Sequence, residues 1–287
     1  MKGNPLILFL FSFLFTFVPA CRSKRSSSER GEKKVLVIAH RGGAALAPEN
    51  TLAAFRNAIR LGVDMIEIDV HQTRDGHVVV IHDNSVDRTT DGHGRVGEMT
   101  LAEIRRLDAG SKFDKRFAGE RVPTLEETLN TLQGKAALLL EIKKDHDTLY
   151  PGLEEKVVKI LQDHDAVSRT VVQSFNLHTV RKVQALDPSI RTFYLLGRNF
   201  PRFYDSLTAG IRQGTTSSPS FTGWAPHHSV LDRGKVDTLH RAGYLVYTWT
   251  VDEADEIRRM VQAGVDGIIT NHPDRLLTVL KEEKKDP

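Results

Sequence analysis

A single cysteine, Cys21, in 287 residues excludes an internal disulfide and any scaffold held by cross-links. No apolar run reaches the roughly 18 residues a helix needs to cross a bilayer; the longest, residues 6–18, falls short of that. Internal repeats and a Pro-rich linker are also missing, so nothing in the chain marks a boundary between two domains. The segment from residue 35 onward lacks an excess of positive charge. Lys2 contributes one unit and residues 22–34 a net four to the formal +3, which leaves −2 for the remainder. A nucleic-acid-binding domain concentrates its positive charge on the folded part, so nucleic acid is excluded as the main partner. Disorder is excluded by a hydrophobic content of 40%.

What is present begins with Lys2 and the apolar run 6–18, LILFLFSFLFTFV, which has the length of the core of a secretory signal. Val18-Pro19-Ala20-Cys21 follows and resembles a bacterial lipobox, in which a small residue precedes a cysteine that is lipidated and becomes the new N-terminus. Two acyl chains on Cys21 are what stable anchoring requires. The expectation is an exported, membrane-anchored lipoprotein of the cell envelope, periplasmic or at the cell surface. Residues 1–20 would be the signal, and 21–34 the lipidated cysteine and a charged tether. Cleavage near Ala20, leaving a free thiol, is the simpler alternative.

From residue 35 short apolar runs alternate with amphipathic stretches, the pattern of βα units around a parallel sheet. Eight strands are expected at 35–39, 64–70, 137–142, 170–174, 191–196, 222–227, 244–250 and 266–270. A ninth run, 77–82, follows too closely for a parallel crossover, and Asp75-Gly76 marks a tight turn, so it reads as a hairpin return above the barrel mouth. Helices are expected at 51–61, 124–133 and 253–263. The fold class is therefore α/β, one (β/α)8 barrel over residues 35–280. The long segment 84–122 is a small insertion after the second strand. Its apolar residues look few and scattered apart from Phe113 and Phe117, which suits a polar cap over the barrel mouth without a continuous apolar groove.

Residues two apart on a strand share a face, so Glu67 and Asp69 project together, as do Glu141 and Lys143. Both pairs stand at C-terminal strand ends, the rim where barrel enzymes gather catalytic groups. Three carboxylates converging there repel one another unless a cation lies between them. All-oxygen ligation favours one divalent cation, Ca²⁺ or Mg²⁺. A buried Glu-Lys pair without metal is the competing reading. His40 ends the first strand and His82 the hairpin return; two imidazoles beside a bound anion can move one proton on and one off. Arg41 and Lys143 suit phosphate oxygens. Trp249 is placed to cover a ligand or to pack the barrel, and His227-His228 to line the rim. The other histidines, among them His71 and His146, read as structural or surface residues.

Ala39-His40-Arg41-Gly42-Gly43 with Pro48-Glu49-Asn50-Thr51, Glu67-Ile68-Asp69-Val70 with Thr73-Arg74-Asp75-Gly76, Val80-Ile81-His82-Asp83, Glu141-Ile142-Lys143, Gln173-Ser174-Phe175 and Thr248-Trp249-Thr250-Val251 occur in this order. Together they resemble the glycerophosphodiester phosphodiesterase family over roughly residues 35–274. The resemblance implies a TIM barrel with metal ligands Glu67, Asp69 and Glu141, the acid/base pair His40 and His82, and phosphate held by Arg41 and Lys143 with Glu49 in support. It also implies a small glycerophosphodiester substrate, cleaved to sn-glycerol 3-phosphate and an alcohol such as choline or ethanolamine. Attack by a substrate hydroxyl, through a cyclic ester, and attack by water both remain open. A lysophospholipase D or other phospholipid phosphodiesterase, and a non-catalytic surface-binding lipoprotein, are the alternatives.

Overall fold

Each expected strand is present, and all but one are short runs rich in β-branched and aliphatic residues; the exception is Gly223–Pro226, which is Gly-Trp-Ala-Pro. The structure, a computed structural model, describes residues 34–213 and 221–283. The signal and lipidation readings, Cys21 among them, and the tether up to residue 33 lie outside the described residues. In chain order the strands are β1 (Leu36–Ala39), β2 (Met65–Gln72), β3 (Val78–Val80), β4 (Ala137–Ile142), β5 (Thr170–Ser174), β6 (Arg191–Leu196), β7 (Gly223–Pro226), β8 (Leu245–Thr248) and β9 (Gly267–Thr270). All pair in parallel except β3, and β1 hydrogen-bonds to both β2 and β9, so eight strands close into a barrel. β3 runs antiparallel to the end of β2, pairing with Val70, His71 and Gln72.

The helices open and close on the signals their sequences carry. α1 (Leu52–Leu61) starts behind Thr51, whose hydroxyl accepts from the Ala54 amide. Further on, α3 (Leu125–Leu132) begins with a reciprocal box between Thr124 and Glu127, and the helix Ala254–Ala263 stops at the left-handed Gly264.

Strand alternation divides the apolar residues into two layers. Ile38, Met65, Leu139, Val171, Phe193, Leu195, Ala225, Tyr247 and Ile269 fill the barrel interior. Their neighbours Ile66, Ile68, Leu138, Leu140, Val172 and Ile268 face the helices. The same period of two carries each inward row upward into polar residues: Met65 is followed on its face by Glu67 and Asp69, and Leu139 by Glu141. The parallel register of β2 and β4 sets Asp69 beside Glu141, and that of β4 and β5 sets Glu141 beside Gln173.

The insertion departs from its sequence reading. Its apolar residues are not scattered: Val86, Val96, Ile104, Ala109 and Val122 gather with Val79 and Ile81 of the hairpin into a satellite core. The spacing is irregular because the segment has only α2 (Leu101–Ile104) and short turns, and periodicity reveals a buried face only where an element repeats. Phe113, taken as a principal apolar residue, is 43% exposed and lies beside Phe117. The hairpin and its insertion are thereby tied into one unit, with His82 just past β3.

Candidate active site

The backbone after β1 turns sharply to bring two groups to the rim. Arg41 and Gly42 both have positive φ, and a Cβ on Gly42 would stand 2.7 Å from the Ala54 Cβ, so only glycine fits against α1 there. The turn aims the Arg41 amide at Glu67 Oε2 (2.9 Å) and its guanidinium at Glu49 Oε1 (2.9 Å), with Nε 3.6 Å from Asp69 Oδ2.

Glu67, Asp69 and Glu141 come together as expected. All three are buried, and each offers an oxygen within 4.8 Å of the others'. Lys143 closes one side, with Nζ 2.9 Å from Glu141 Oε1 and 3.2 Å from Asp69 Oδ1. Asn50 donates to Asp69 Oδ2 at 2.9 Å. The three carboxylates differ in charge state. Burial, then the charges of Asp69 and Glu141, pushes Glu67 well above the usual carboxylate range. Glu141 is raised to about 7, chiefly by burial, with Lys143 opposing and Asp69 reinforcing. Burial acts on Asp69 in the same sense, but Lys143, His82 and Arg41 outweigh it and hold that carboxyl low. Asp69 Oδ1 is buried without an aligned hydrogen bond, and two neighbouring carboxylates resist ionisation. A divalent cation resolves both features, and three buried oxygens are the donor set such an ion takes.

The tension has a pH signature in the metal-free protein. Glu141 moves from an ordinary 4.5 to about 7, so the folded state holds a proton there that the unfolded state has released. Stability from this group is complete below about pH 4.5 and lost as pH rises through about 7. In excess chelator, unfolding free energies of wild type and Glu141→Gln, compared from pH 5 to 8, are expected to diverge with the wild type losing ground. A difference independent of pH contradicts the assignment.

His40 lies on the opposite side. Its Nδ1 is 2.7 Å from Asn271 Oδ1. The orientation of that amide is fixed from behind, because Asn271 Nδ2 donates to Asp252 Oδ2 at 2.8 Å, while Asp252 Oδ1 accepts from the Asn271 amide and the Thr270 hydroxyl. An oxygen facing Nδ1 requires a proton on that nitrogen, which leaves the lone pair on Nε2. Burial, assisted by Arg41, lowers His40 to about 4, so it is neutral at pH 7. His82 is also lowered, mainly by burial, although Asp69 and the Asp83 carboxylate, 2.6 Å from its Nδ1, pull the other way. Asp83 is in turn gripped by Arg88, which also bridges to Glu49. Thus His40 has a neutral amide behind it and His82 a carboxylate.

Sequence reasoning assigned no role to Asn50, Asp252 or Asn271, which act one contact away from the groups it selected. Asn271 directly follows β9 and so stands at the same rim level as His40 after β1, its neighbour in the sheet; that shared level is the signal available in the sequence. His71, read as structural, is buried and holds the His82 carbonyl through Nε2 at 3.0 Å, with Tyr150 on its other nitrogen. Glu49 bonds to the two arginines, in keeping with a supporting place. The Trp249 indole donates to the Ala225 carbonyl and stands edge-on to Phe175 at 5.4 Å, over a cavity of about 90 Å³ that His40, Arg41, Glu67 and Gln173 also line. His227 and His228 are engaged by Ser229 and Glu256 and line none of the cavities around the carboxylates.

Residues 40–275 match the glycerophosphoryl diester phosphodiesterase family. A glycerophosphodiester phosphodiesterase of Caldanaerobacter subterraneus subsp. tengcongensis is 40% identical over 252 residues, 87% of this chain and 99% of that protein. One of Bacillus subtilis is 33% identical over 96% of both chains. Among solved structures, an Oleispira antarctica phosphodiesterase in complex with the product sn-glycerol-3-phosphate superposes with a TM-score of 0.74 at 30% identity, covering 86% of this chain and 96% of that one.

Proposed function

The chain belongs to the glycerophosphoryl diester phosphodiesterase family, and from that premise we propose that it hydrolyses small glycerophosphodiesters to sn-glycerol 3-phosphate and an alcohol. It does so at a divalent-metal site formed by Glu67, Asp69 and Glu141. The observation that carries this reading is the buried carboxylate triad with two histidines, His40 and His82, beside one small cavity. The product named in the Oleispira complex supports the substrate class.

A divalent ion on the triad supplies positive charge to the phosphoryl oxygens, and Ca²⁺ and Mg²⁺ both suit an all-oxygen site. Arg41 and Lys143 bind the remaining phosphate charge, and Glu49 keeps the Arg41 guanidinium in place. His40, with its lone pair on Nε2, takes the proton of the attacking hydroxyl, whether from the glycerol unit or from water. His82, lowered in the free site, takes up a proton when the phosphate anion joins Asp69 and Asp83 beside it, and passes that proton to the departing oxygen. The new P–O bond forms as the bond to the alcohol breaks, and the alcohol leaves neutral. Where the glycerol hydroxyl attacks, the product of this step is a cyclic ester, which water then opens to sn-glycerol 3-phosphate, His82 taking the water's proton and His40 returning one to the glycerol oxygen. Incubation of the purified protein with glycerophosphocholine and Mg²⁺ or Ca²⁺ is expected to release sn-glycerol 3-phosphate and choline. Release of phosphocholine and glycerol instead would contradict the reading.

The sequence of residues 1–34 supports export and anchoring through Cys21 in the cell envelope. Cys21→Ala is expected to shift the protein from the membrane to the soluble fraction with specific activity retained, because the rim is separated from the anchor by a charged tether. An unmodified mature N-terminus in mass spectrometry would overturn this.

A further inference from the structure

The cavity under Trp249 is not the only one that opens on the triad. A second, of about 340 Å³, is bordered by His71, Asn84, Lys144, His146, Leu149 and Asn176. The two cavities meet along His82, Glu141, Lys143 and Phe175, which line both. His40 borders the smaller cavity and does not border the larger. The smaller, about 90 Å³, has room for a three-carbon unit and little else. Resting on the function proposed above, the two volumes and the two histidines give the substrate a direction: glycerol under Trp249 on the His40 side, and the departing alcohol in the larger groove, where His82 can reach its oxygen.

We propose that this outer groove is a headgroup subsite that selects hydroxyl-rich alcohols, such as glycerol or a cyclitol, over quaternary ammonium alcohols. Its polar lining is rich in donors: the Lys144 ammonium, the Asn84 and Asn176 amides, and His146. Lys144 and Lys143 make the groove cationic, and its one lining carboxylate, Glu141, is held by Lys143 at 2.9 Å. Asp145, next to Lys144 in sequence, is drawn away by Arg95 at 2.7 Å. Asp147 is 3.5 Å from Lys144 and 85% exposed, too open to attract a ligand strongly. A quaternary ammonium makes no conventional hydrogen bond and needs several aromatic faces or an unpaired carboxylate, whereas Phe175 is the one Phe, Tyr or Trp among the residues that line this groove.

The test compares kcat/KM for glycerophosphoglycerol and glycerophosphoinositol with that for glycerophosphocholine, in wild type, Lys144→Ala and Lys144→Glu. Lys144 is half exposed and outside the catalytic set, so both variants are expected to fold, with unchanged Tm. Wild type is expected to favour the polyol diesters on the order of tenfold. Lys144→Ala should narrow that ratio, and Lys144→Glu should narrow it further by lowering KM for glycerophosphocholine with kcat kept. Equal kcat/KM for the two classes, a preference for glycerophosphocholine, or a ratio that neither variant moves would overturn the subsite. Absence of turnover with every diester would instead sink the function on which it rests.

Discussion

Alanine at His82 is expected to lower kcat/KM on the order of a hundredfold or more, with KM little changed. Without the imidazole the alcohol must depart as an alkoxide: of the other titratable groups that border both cavities, Lys143 is held charged, above its ordinary range, by Asp69 and Glu141 despite its burial, and Glu141, as a ligand of the proposed ion, carries no proton in the loaded enzyme. His40→Ala should cost a similar factor, and the double variant little more than either alone, because in the proposed mechanism the two histidines serve one displacement. The preparation at His40 gives a further check. Asn271→Asp puts a carboxylate where a neutral oxygen now faces Nδ1, which stabilises the imidazolium and is expected to move the acidic limb of kcat/KM to higher pH. Steady-state kinetics with glycerophosphocholine measures all of these. A His82→Ala enzyme with near-normal turnover would remove that residue from the mechanism.

The second large effect concerns the triad. In its metal-free form the site contains two carboxylates whose ionisation is opposed by burial and by their neighbours. Glu67→Gln relieves part of that opposition and keeps the shape, so its stability in chelator is expected to equal or exceed that of wild type. Binding an ion at a hundred times its Kd stabilises a folded protein by about 2.7 kcal/mol. Saturating Mg²⁺ or Ca²⁺ should therefore raise the wild-type Tm by a few degrees and leave that of Glu67→Gln or Asp69→Asn nearly unmoved. Activity should fall with the shift. Differential scanning calorimetry with and without the ion checks this, and an equal ion-induced shift in wild type and variants would place the cation elsewhere.

The order of the barrel strands was legible because each apolar run is short, bounded by turn residues and separated by a helical stretch, and even the least regular run, 222–227, forms β7. The triad was legible for a simpler reason: a strand's period of two makes Glu67 and Asp69 neighbours without any knowledge of the fold. What lay beyond reach was contact between residues remote in sequence. Asp252 and Asn271 are separated from His40 by most of the chain, and a side chain that fixes a tautomer leaves no periodic trace. The satellite core under the insertion was missed likewise, since its members are spaced by turns rather than by an element's repeat.

The proposed function requires that Glu67, Asp69 and Glu141 hold an ion without which the phosphodiester is not cleaved. Its most direct test is turnover of one glycerophosphodiester by protein stripped with excess chelator, dialysed, and then titrated with Mg²⁺ or Ca²⁺. Release of sn-glycerol 3-phosphate should be absent in the stripped protein and return as the ion saturates the site. Undiminished release in excess chelator would contradict the claim.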